Sequence, residues 1–355
     1  MDKSTQAMMR MLFSEKNLNS SMDVGFKGNP NIGSVVLNQI VDSPDFGEFA
    51  NSFENGDKIF IISSIFGGTG ASGFPLLLKT LRTGNAFPNF QLVNNAEIGA
   101  ITILPYFTLK QDGGAIDSST FISKTKSALA YYENNISQND SVNALYFLGD
   151  EVTGTYDNHE GGAAQQNTAH LIEFLAATAL VDFSLNTHTA TVNKELGLQS
   201  VGNSVTFSSF YDVQRRQLFA PLTQFILTAN SLTHKFEYFS SASFNANTNH
   251  FRGLYSSAFM SGLQSMCRLY VEWLKELEEN NRSLDLFNLG CGNKPFEVVT
   301  GVTPKKIVSL KSDYDLMAAR LNAAIKKCHN GEDSNKFLEM FYQATQNLVK
   351  EKFNV

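Results

Sequence analysis

The sequence predicts an α/β protein whose first half is built on a parallel β-sheet. Three continuous apolar runs of strand length, at 58–65, 99–107 and 142–148, alternate with stretches of helical periodicity. Such runs are typical of parallel strands covered on both faces, and the strand–helix–strand order favours an open sheet. Between the first run and the next helix lies a glycine-rich turn at 67–73, which marks a tight strand-to-helix connection.

The second half of the chain has a different character. A polar stretch at 187–210 favours β-structure, and long helical patterns follow it. The helices are expected near 211–231, 255–280, 313–328 and 334–351, with strand-like pieces at 233–240 and 304–310. We therefore expect a parallel-sheet domain at 1–190 and an α+β second domain at 191–355.

Composition and charge exclude several classes of function. The 355 residues carry a formal net charge of -6, so there is no basic surplus of the kind that binds nucleic acid. The three cysteines are far apart, which argues for a reducing compartment and against a structural zinc site. No apolar run approaches the ~20 residues that cross a membrane, and nothing resembles a signal peptide. We expect a cytoplasmic protein without a membrane segment.

The turn at Gly67–Gly73 has the chemistry of a phosphate-binding loop. Four glycines in seven residues permit positive φ angles and a close approach of an anion to backbone N–H groups. A helix that begins beyond the loop, with Pro75 in its first turn, adds partial positive charge. The hydroxyls of Thr69 and Ser72 are expected to donate as well. The alternative is a tight connection that binds nothing, although four glycines exceed what a connection needs.

One interpretation of this loop is a dinucleotide site. The spacing of Gly68, Gly70 and Gly73 fits the dinucleotide fingerprint, which predicts an NAD(P)-binding oxidoreductase. That class expects an acidic residue where the next strand ends, whereas the run at 99–107 continues into Thr108-Leu109-Lys110. No Gly-Lys-Thr/Ser follows the loop, which excludes the P-loop class.

The segment Gly67-Gly68-Thr69-Gly70, followed by Ala71, Ser72, Gly73 and Pro75, resembles the signature loop of tubulin and of the bacterial division GTPase FtsZ. In that family the loop holds the α- and β-phosphates of GTP. Ala71 and Ser72 depart from the usual hydroxyl residue and glycine. The earlier segment 28–33 resembles the family's loop near the γ-phosphate, and Asn167 resembles the asparagine that reads guanine. The resemblance covers roughly residues 20–185.

The resemblance implies a protein that binds GTP or GDP, with Mg²⁺ as a possible companion ion, and that assembles with other subunits. The residues expected to contact nucleotide are Gly28, Asn29, Pro30, Gly33, Gly67, Gly68, Thr69, Gly70, Ala71, Ser72, Gly73, Glu160 and Asn167. GTPase activity in this family comes from an acidic residue after the central helix that acts across a subunit interface. Asp182 is the candidate here. Weak or absent hydrolysis is expected because the family's Asn-x-Asp motif is missing around this residue.

Two further expectations concern association with other subunits. The family begins with a strand and a first glycine loop, and the 24 residues before Gly25 show neither. We therefore expect self-association or a companion subunit that supplies these strands. The rival hypothesis is a non-catalytic interaction protein that keeps the fold without nucleotide.

Alternatives remain for the polar residues. Glu160, in the acidic loop at 149–166, contacts the nucleotide ribose or lies in a solvated loop. Asn167 reads the base or caps the helix, and Asp182 is catalytic or a surface residue. Cys291, between two glycines, is interpreted as a turn cysteine because no histidine neighbours it in sequence.

Overall fold

The computed structural model describes residues 2–19, 21–22, 25–26, 28–111, 118–152, 154–159, 168–188, 192–196, 202, 204–241, 250–306, 312–328 and 331–353. Within them the chain is a mixed α/β protein with small parallel sheets, which confirms the predicted class. It divides into two compact units. The first comprises Met1–Asn167 and Ile172–Gly197, and the second Thr168–Leu171 and Leu198–Val355.

The first unit alternates helices and strands as predicted. Its elements are α1 (Lys3–Leu12), α2 (Glu15–Leu18), α3 (Pro30–Leu37), α4 (Pro44–Ser52), β1 (Lys58–Ser64), α5 (Gly68–Thr83), α6 (Phe90–Asn95), β2 (Glu97–Ile103), β3 (Phe107–Leu109), α7 (Phe121–Asn135), β4 (Ala144–Leu148), β5 (Gly154–Tyr156), α8 (Leu171–Leu185) and β6 (Val192–Leu196). The first residue of α8, Leu171, is assigned to the second unit. The predicted run at 99–107 is interrupted near Pro105, which has no N–H for a ladder. Its last part forms β3, which pairs in parallel with β5.

The main sheet has the order β1-β2-β4-β6, and each neighbouring pair is parallel. The register places Ile61 opposite Ala100 and Ala100 opposite Leu145. These three side chains belong to a core that includes residues of α5 and α7, such as Phe74 and Tyr132. The opposite face meets α8. Because the strands are parallel, the carboxyl ends of β1 and β2 lie at the same end of the sheet, where the predicted glycine-rich turn begins.

The turn after β1 is shorter than predicted. Gly67 is the extended N-cap residue and α5 begins at Gly68, so Pro75 lies in the third turn of the helix rather than the first. Proline there removes the N–H that would reach the carbonyl of Ala71. The Pro75 prediction was wrong because the glycines were assigned to a loop, whereas three of them are helical.

The second unit is mainly helical. Its elements are β7 (Ser204–Val205), α9 (Asp212–His234), α10 (Phe236–Ser240), α11 (Arg252–Tyr255), α12 (Ala258–Glu279), β8 (Ser283–Leu284), α13 (Asp313–Ile325) and α14 (Asp333–Phe353). The four long helices were predicted within a few residues. Helix α9 packs on α12 and α14, and α13 packs on α14. None of the described helices combines the length and the apolarity that crossing a membrane requires.

Two predicted strand-like pieces do not form as strands. Residues 236–240 are helical because Phe236 and Phe239, three positions apart, share a helix face, and Phe239 packs on Tyr314 and Phe341. The alternation of apolar and polar residues there had indicated a strand. Residues 304–306 are irregular, and 307–311 lie outside the described residues.

Candidate functional site

The glycine-rich segment presents free backbone donors at the carboxyl end of β1. The first hydrogen bond of α5 runs from the Ala71 N–H to the Gly67 carbonyl at 3.3 Å. No side chain caps the helix, and within the described part of the chain the N–H groups of Gly68, Thr69 and Gly70 have no partner. Three unpaired donors and the positive end of a sixteen-residue helix thus share one place.

The glycines of this segment are required by close packing, not by backbone conformation. None of the four has a positive φ, contrary to the expected use of glycine. A Cβ at Gly68 would lie 2.9 Å from the backbone nitrogen of Asn29, and one at Gly70 would lie 2.4 Å from the carbonyl oxygen of Ser64. Both contacts are with backbone, which cannot move aside as a flexible side chain can. Larger residues would force α5 away from β1 and from the segment before α3.

The structure brings the segment 28–33 against the glycine-rich segment. Gly28 has a φ of +76°, and Pro30 occupies the first turn of α3. A Cβ at Gly33 would lie 2.2 Å from the Ser72 hydroxyl oxygen, so α3 and α5 touch through residues without bulk. Positive φ therefore occurs in the first of the two segments rather than in the second.

The two hydroxyl residues of the segment differ in availability. Ser72 is 3% exposed, and its hydroxyl donates to the Gly68 carbonyl at 2.7 Å. Its proton is engaged inside α5 and is not the predicted phosphate donor. Thr69 is exposed in the first turn. It remains the hydroxyl that a ligand at the helix N-terminus would meet.

A cavity of about 720 Å³ lies beside the segment, bounded by α3, α5 and α7. Of the residues predicted to contact nucleotide, it is lined by Gly28, Asn29, Pro30, Ala71 and Ser72. The residues Gly33, Gly67, Gly68, Thr69, Gly70 and Gly73 do not line it. The predicted residues thus fall into two adjoining groups, one at the helix N-terminus and one in the cavity.

The cavity also contains groups that the sequence did not single out. Lys124 of α7 lines it, and its ammonium donates to the Gly28 carbonyl at 2.8 Å. Tyr132, 1% exposed, places a hydroxyl there that has no partner among the described residues. Burial raises the pKa of this hydroxyl, so it remains a neutral donor. Both residues lie on α7, in a stretch of helical periodicity whose pattern does not distinguish them.

Asp182 lies towards the amino ends of the strands, away from the carboxyl end of β1 where the glycine-rich segment begins. Its carboxylate accepts a hydrogen bond from the buried Tyr146 hydroxyl at 2.7 Å and another from Asn186 at 3.0 Å. The end of α8 is fixed at the amino end of β1, because the Lys58 ammonium reaches the Phe183 carbonyl at 3.4 Å. The seven residues of β1 span ~20 Å. Asp182 therefore does not meet the glycine-rich segment of its own chain.

Two predicted contacts, Glu160 and Asn167, lie outside the described residues. Nearby, Asp157 pairs with Lys110 at 2.5 Å, and both side chains are about 60% exposed. The hydrogen bond from Lys110 lowers the pKa of Asp157. This part of the acidic loop is solvated.

Strand β1 is an edge of the main sheet in the described part of the chain. The Ile65 N–H bonds to the Ile103 carbonyl of β2, so odd-numbered residues of β1 direct their backbone groups to β2. The backbone groups of Phe60 and Ile62 point outward, where no described strand pairs with them. Ile62 is also 54% exposed. An open edge with exposed apolar side chains is a template for an added strand.

Comparison with known proteins adds nothing to this geometry. No family model, no curated protein and no solved structure matches the chain. Within the described ranges, no three His, Cys, Asp or Glu side chains lie close enough to hold a metal ion. Function is therefore argued from the glycine-rich segment and the β1 edge.

Proposed function

We propose that the chain is a tubulin/FtsZ-like subunit that binds GTP or GDP, with Mg²⁺ as a possible companion ion, at the N-terminus of α5. The observation that carries this proposal is the set of unpaired N–H groups of Gly68, Thr69 and Gly70 at the carboxyl end of a parallel strand. In open α/β sheets, ligands bind at that edge. Phosphate is the best-known anion that helix N-termini bind.

The surroundings of the segment support an anionic ligand. The absence of a Cβ at Gly68 leaves its backbone close to that of Gly28 and Asn29, so the two predicted segments meet at the N-terminus of α5. Lys124, bonded to the Gly28 carbonyl, places one cation beside them. The adjoining cavity of about 720 Å³ lies within the range of small-molecule sites.

Assembly is the second part of the proposal. The open edge of β1 would accept a strand from a like subunit or from a companion subunit. Hydrolysis would be weak or absent within one chain, because Asp182 lies towards the amino ends of the strands, whereas α5 begins at the carboxyl end of β1. A GTPase reaction would require Asp182 of one subunit to approach the glycine-rich segment of the next.

The first experiment is a titration with fluorescent GTP, using two variants of one exposed residue. Thr69→Glu places a carboxylate beside the unpaired donors; it favours the helix but repels phosphate. We expect at least about tenfold weaker binding, worth ~1.4 kcal/mol. Thr69→Gln has the same length without the charge and should bind nearly as the wild type does. Equal affinity of both variants would contradict binding at this place.

A second candidate is a non-catalytic interaction protein that keeps the fold without nucleotide. It is favoured by the packing at Gly68 and Gly70, since their close backbone contacts explain the glycines without any ligand. The same titration discriminates the two candidates. If the wild type binds neither GTP nor GDP at millimolar concentration, alone or in its assembled form, the interaction protein is the better conclusion. Stabilisation by NAD(P) but not GTP in a thermal-shift assay would instead establish a dinucleotide site.

A further inference from the structure

A separate polar pocket of about 300 Å³ lies within the second unit, where three parts of the chain meet. The end of α9 contributes Asn230 and His234, followed by Lys235. The turn at 289–293 contributes Cys291, and the first turn of α13 contributes Tyr314. The Tyr314 hydroxyl donates to the Gly292 carbonyl at 3.1 Å, which fixes the turn against α13. This pocket takes no part in the proposed nucleotide site.

The floor of the pocket carries an amide that no described protein group bonds. Asn230 is 5% exposed, and its side chain has no hydrogen-bond partner in the described part of the chain. The amide atoms are not sealed from the pocket, so water bonds them there, and a ligand that displaces this water must replace its bonds. The Asn230 side chain lines the pocket, so a molecule bound there would supply the partner.

Lys235 brings a positive charge to the lining of the pocket. Lys235 holds its ammonium 5.2 Å from the centre of the Tyr314 ring, and within the described ranges it makes no ion pair. Among the described residues, no Asp or Glu lines the pocket. Of the acids nearby, Asp313 lies 3.8 Å from the Lys352 ammonium, and Asp315 caps its own helix. Glu297 pairs with Lys294 at 3.0 Å, and Glu237 is exposed. A bound anion would therefore meet one ammonium group and neutral donors.

We propose that this pocket binds a small organic anion through a carboxylate or phosphate group. The Asn230 amide donates to the anion from the floor, and the Lys235 ammonium neutralises it from the wall. His234, which is exposed, also lines the pocket. The Cys291 thiol forms a neutral part of the wall, because burial raises its pKa. The volume admits a ligand at the small end of the usual range.

Alkylation of Cys291 reports occupancy directly. Cys267 and Cys328 are buried, whereas Cys291 is half-exposed, so a maleimide should modify Cys291 first. The rate is followed by peptide mass spectrometry on the full chain, with inorganic phosphate or succinate as probe and chloride at matched ionic strength as control. We expect one probe to slow modification at least fivefold and saturably; the probe that does so identifies the group. If neither slows it more than chloride does, the proposal is overturned.

Matched lysine variants test the chemistry. Lys235→Gln should weaken the protecting probe about tenfold, as expected for a lost hydrogen bond to a charged group. Lys326→Gln changes an exposed lysine outside the pocket and should leave protection unchanged. Equal protection in both variants would overturn the proposal. If Lys235→Gln does not fold, Asn230→Asp replaces it: the added carboxylate should abolish protection, and retained protection would refute the assignment. Fluorescent GTP binding is measured in parallel and should not change, which separates this site from the nucleotide site.

Discussion

Gly70→Ala is the substitution that tests the packing of α5 most directly. The added methyl group would lie 2.4 Å from the Ser64 carbonyl oxygen and 2.8 Å from the Ser64 nitrogen. Both are backbone atoms of a strand that is held by β2, so α5 must move. Overpacking of this kind costs ~1–3 kcal/mol, against which alanine in a helix gains up to ~1 kcal/mol over glycine. We expect a net loss of about 1.5 kcal/mol in the free energy of unfolding.

The control is Gly73→Ala, in the same helix. Its Cβ would lie 3.1 Å from the Leu37 Cδ1 atom, the end of a flexible side chain that can turn away. Here the helix gain should dominate, and the variant should be as stable as the wild type or up to ~1 kcal/mol more stable.

Thermal unfolding followed by circular dichroism measures the difference between the two variants. For a unit of this size, about 1.5 kcal/mol corresponds to roughly 3–6 °C in Tm. Gly70→Ala should unfold at lower temperature than the wild type, and Gly73→Ala should not. If both variants shift equally, or if Gly70→Ala is the more stable, then the close approach of α5 to β1 does not limit stability and the packing argument fails.

Three further outcomes are expected. Arg82→Met should lower the free energy of unfolding by ~2–4 kcal/mol in urea titrations, because the guanidinium donates to three backbone carbonyls and to Asn143, which would all lose their partner. Tyr146→Phe should cost ~1–2 kcal/mol by removing the 2.7 Å bond to Asp182, and it should not alter GTP affinity if Asp182 acts only across an interface. Burial raises the pKa of Tyr106 to about 12, so the unfolded chain ionises first; stability should fall as pH rises from ~10 towards 12, and less so in Tyr106→Phe.

The strands could be predicted because buried strands are rich in apolar residues. The runs at 58–65 and 142–148 are mainly apolar, as is typical of parallel strands, and both form within two residues of expectation. The piece at 233–240 misled because its alternation is compatible with either structure in so short a segment. Only contacts with Tyr314 and Phe341, remote in sequence, decide that it is helical.

The site was predictable in part. Two separated glycine-containing segments were expected together, and they lie in contact at Gly33 and Ser72. The role of Lys124 could not be read from the sequence, because its helix carries two lysines and two serines close together, and no pattern separates one from another. Its position over the Gly28 carbonyl depends on how α7 packs across the sheet. The bond between Tyr146 and Asp182 likewise joins residues 36 positions apart.

Close packing and anion binding need not be rival explanations of the same glycines. The missing Cβ at Gly68 allows backbone contact with Asn29, and that contact holds the unpaired N–H groups of α5 beside a second loop. A protein that required only a tight connection could cap the helix with a serine or aspartate N-cap, which would stabilise it by ~1 kcal/mol. Gly67 stands there instead, and no side chain takes the free donors. The uncapped end therefore favours a ligand over packing alone, and it is why Thr69→Glu, rather than any glycine substitution, separates the two explanations.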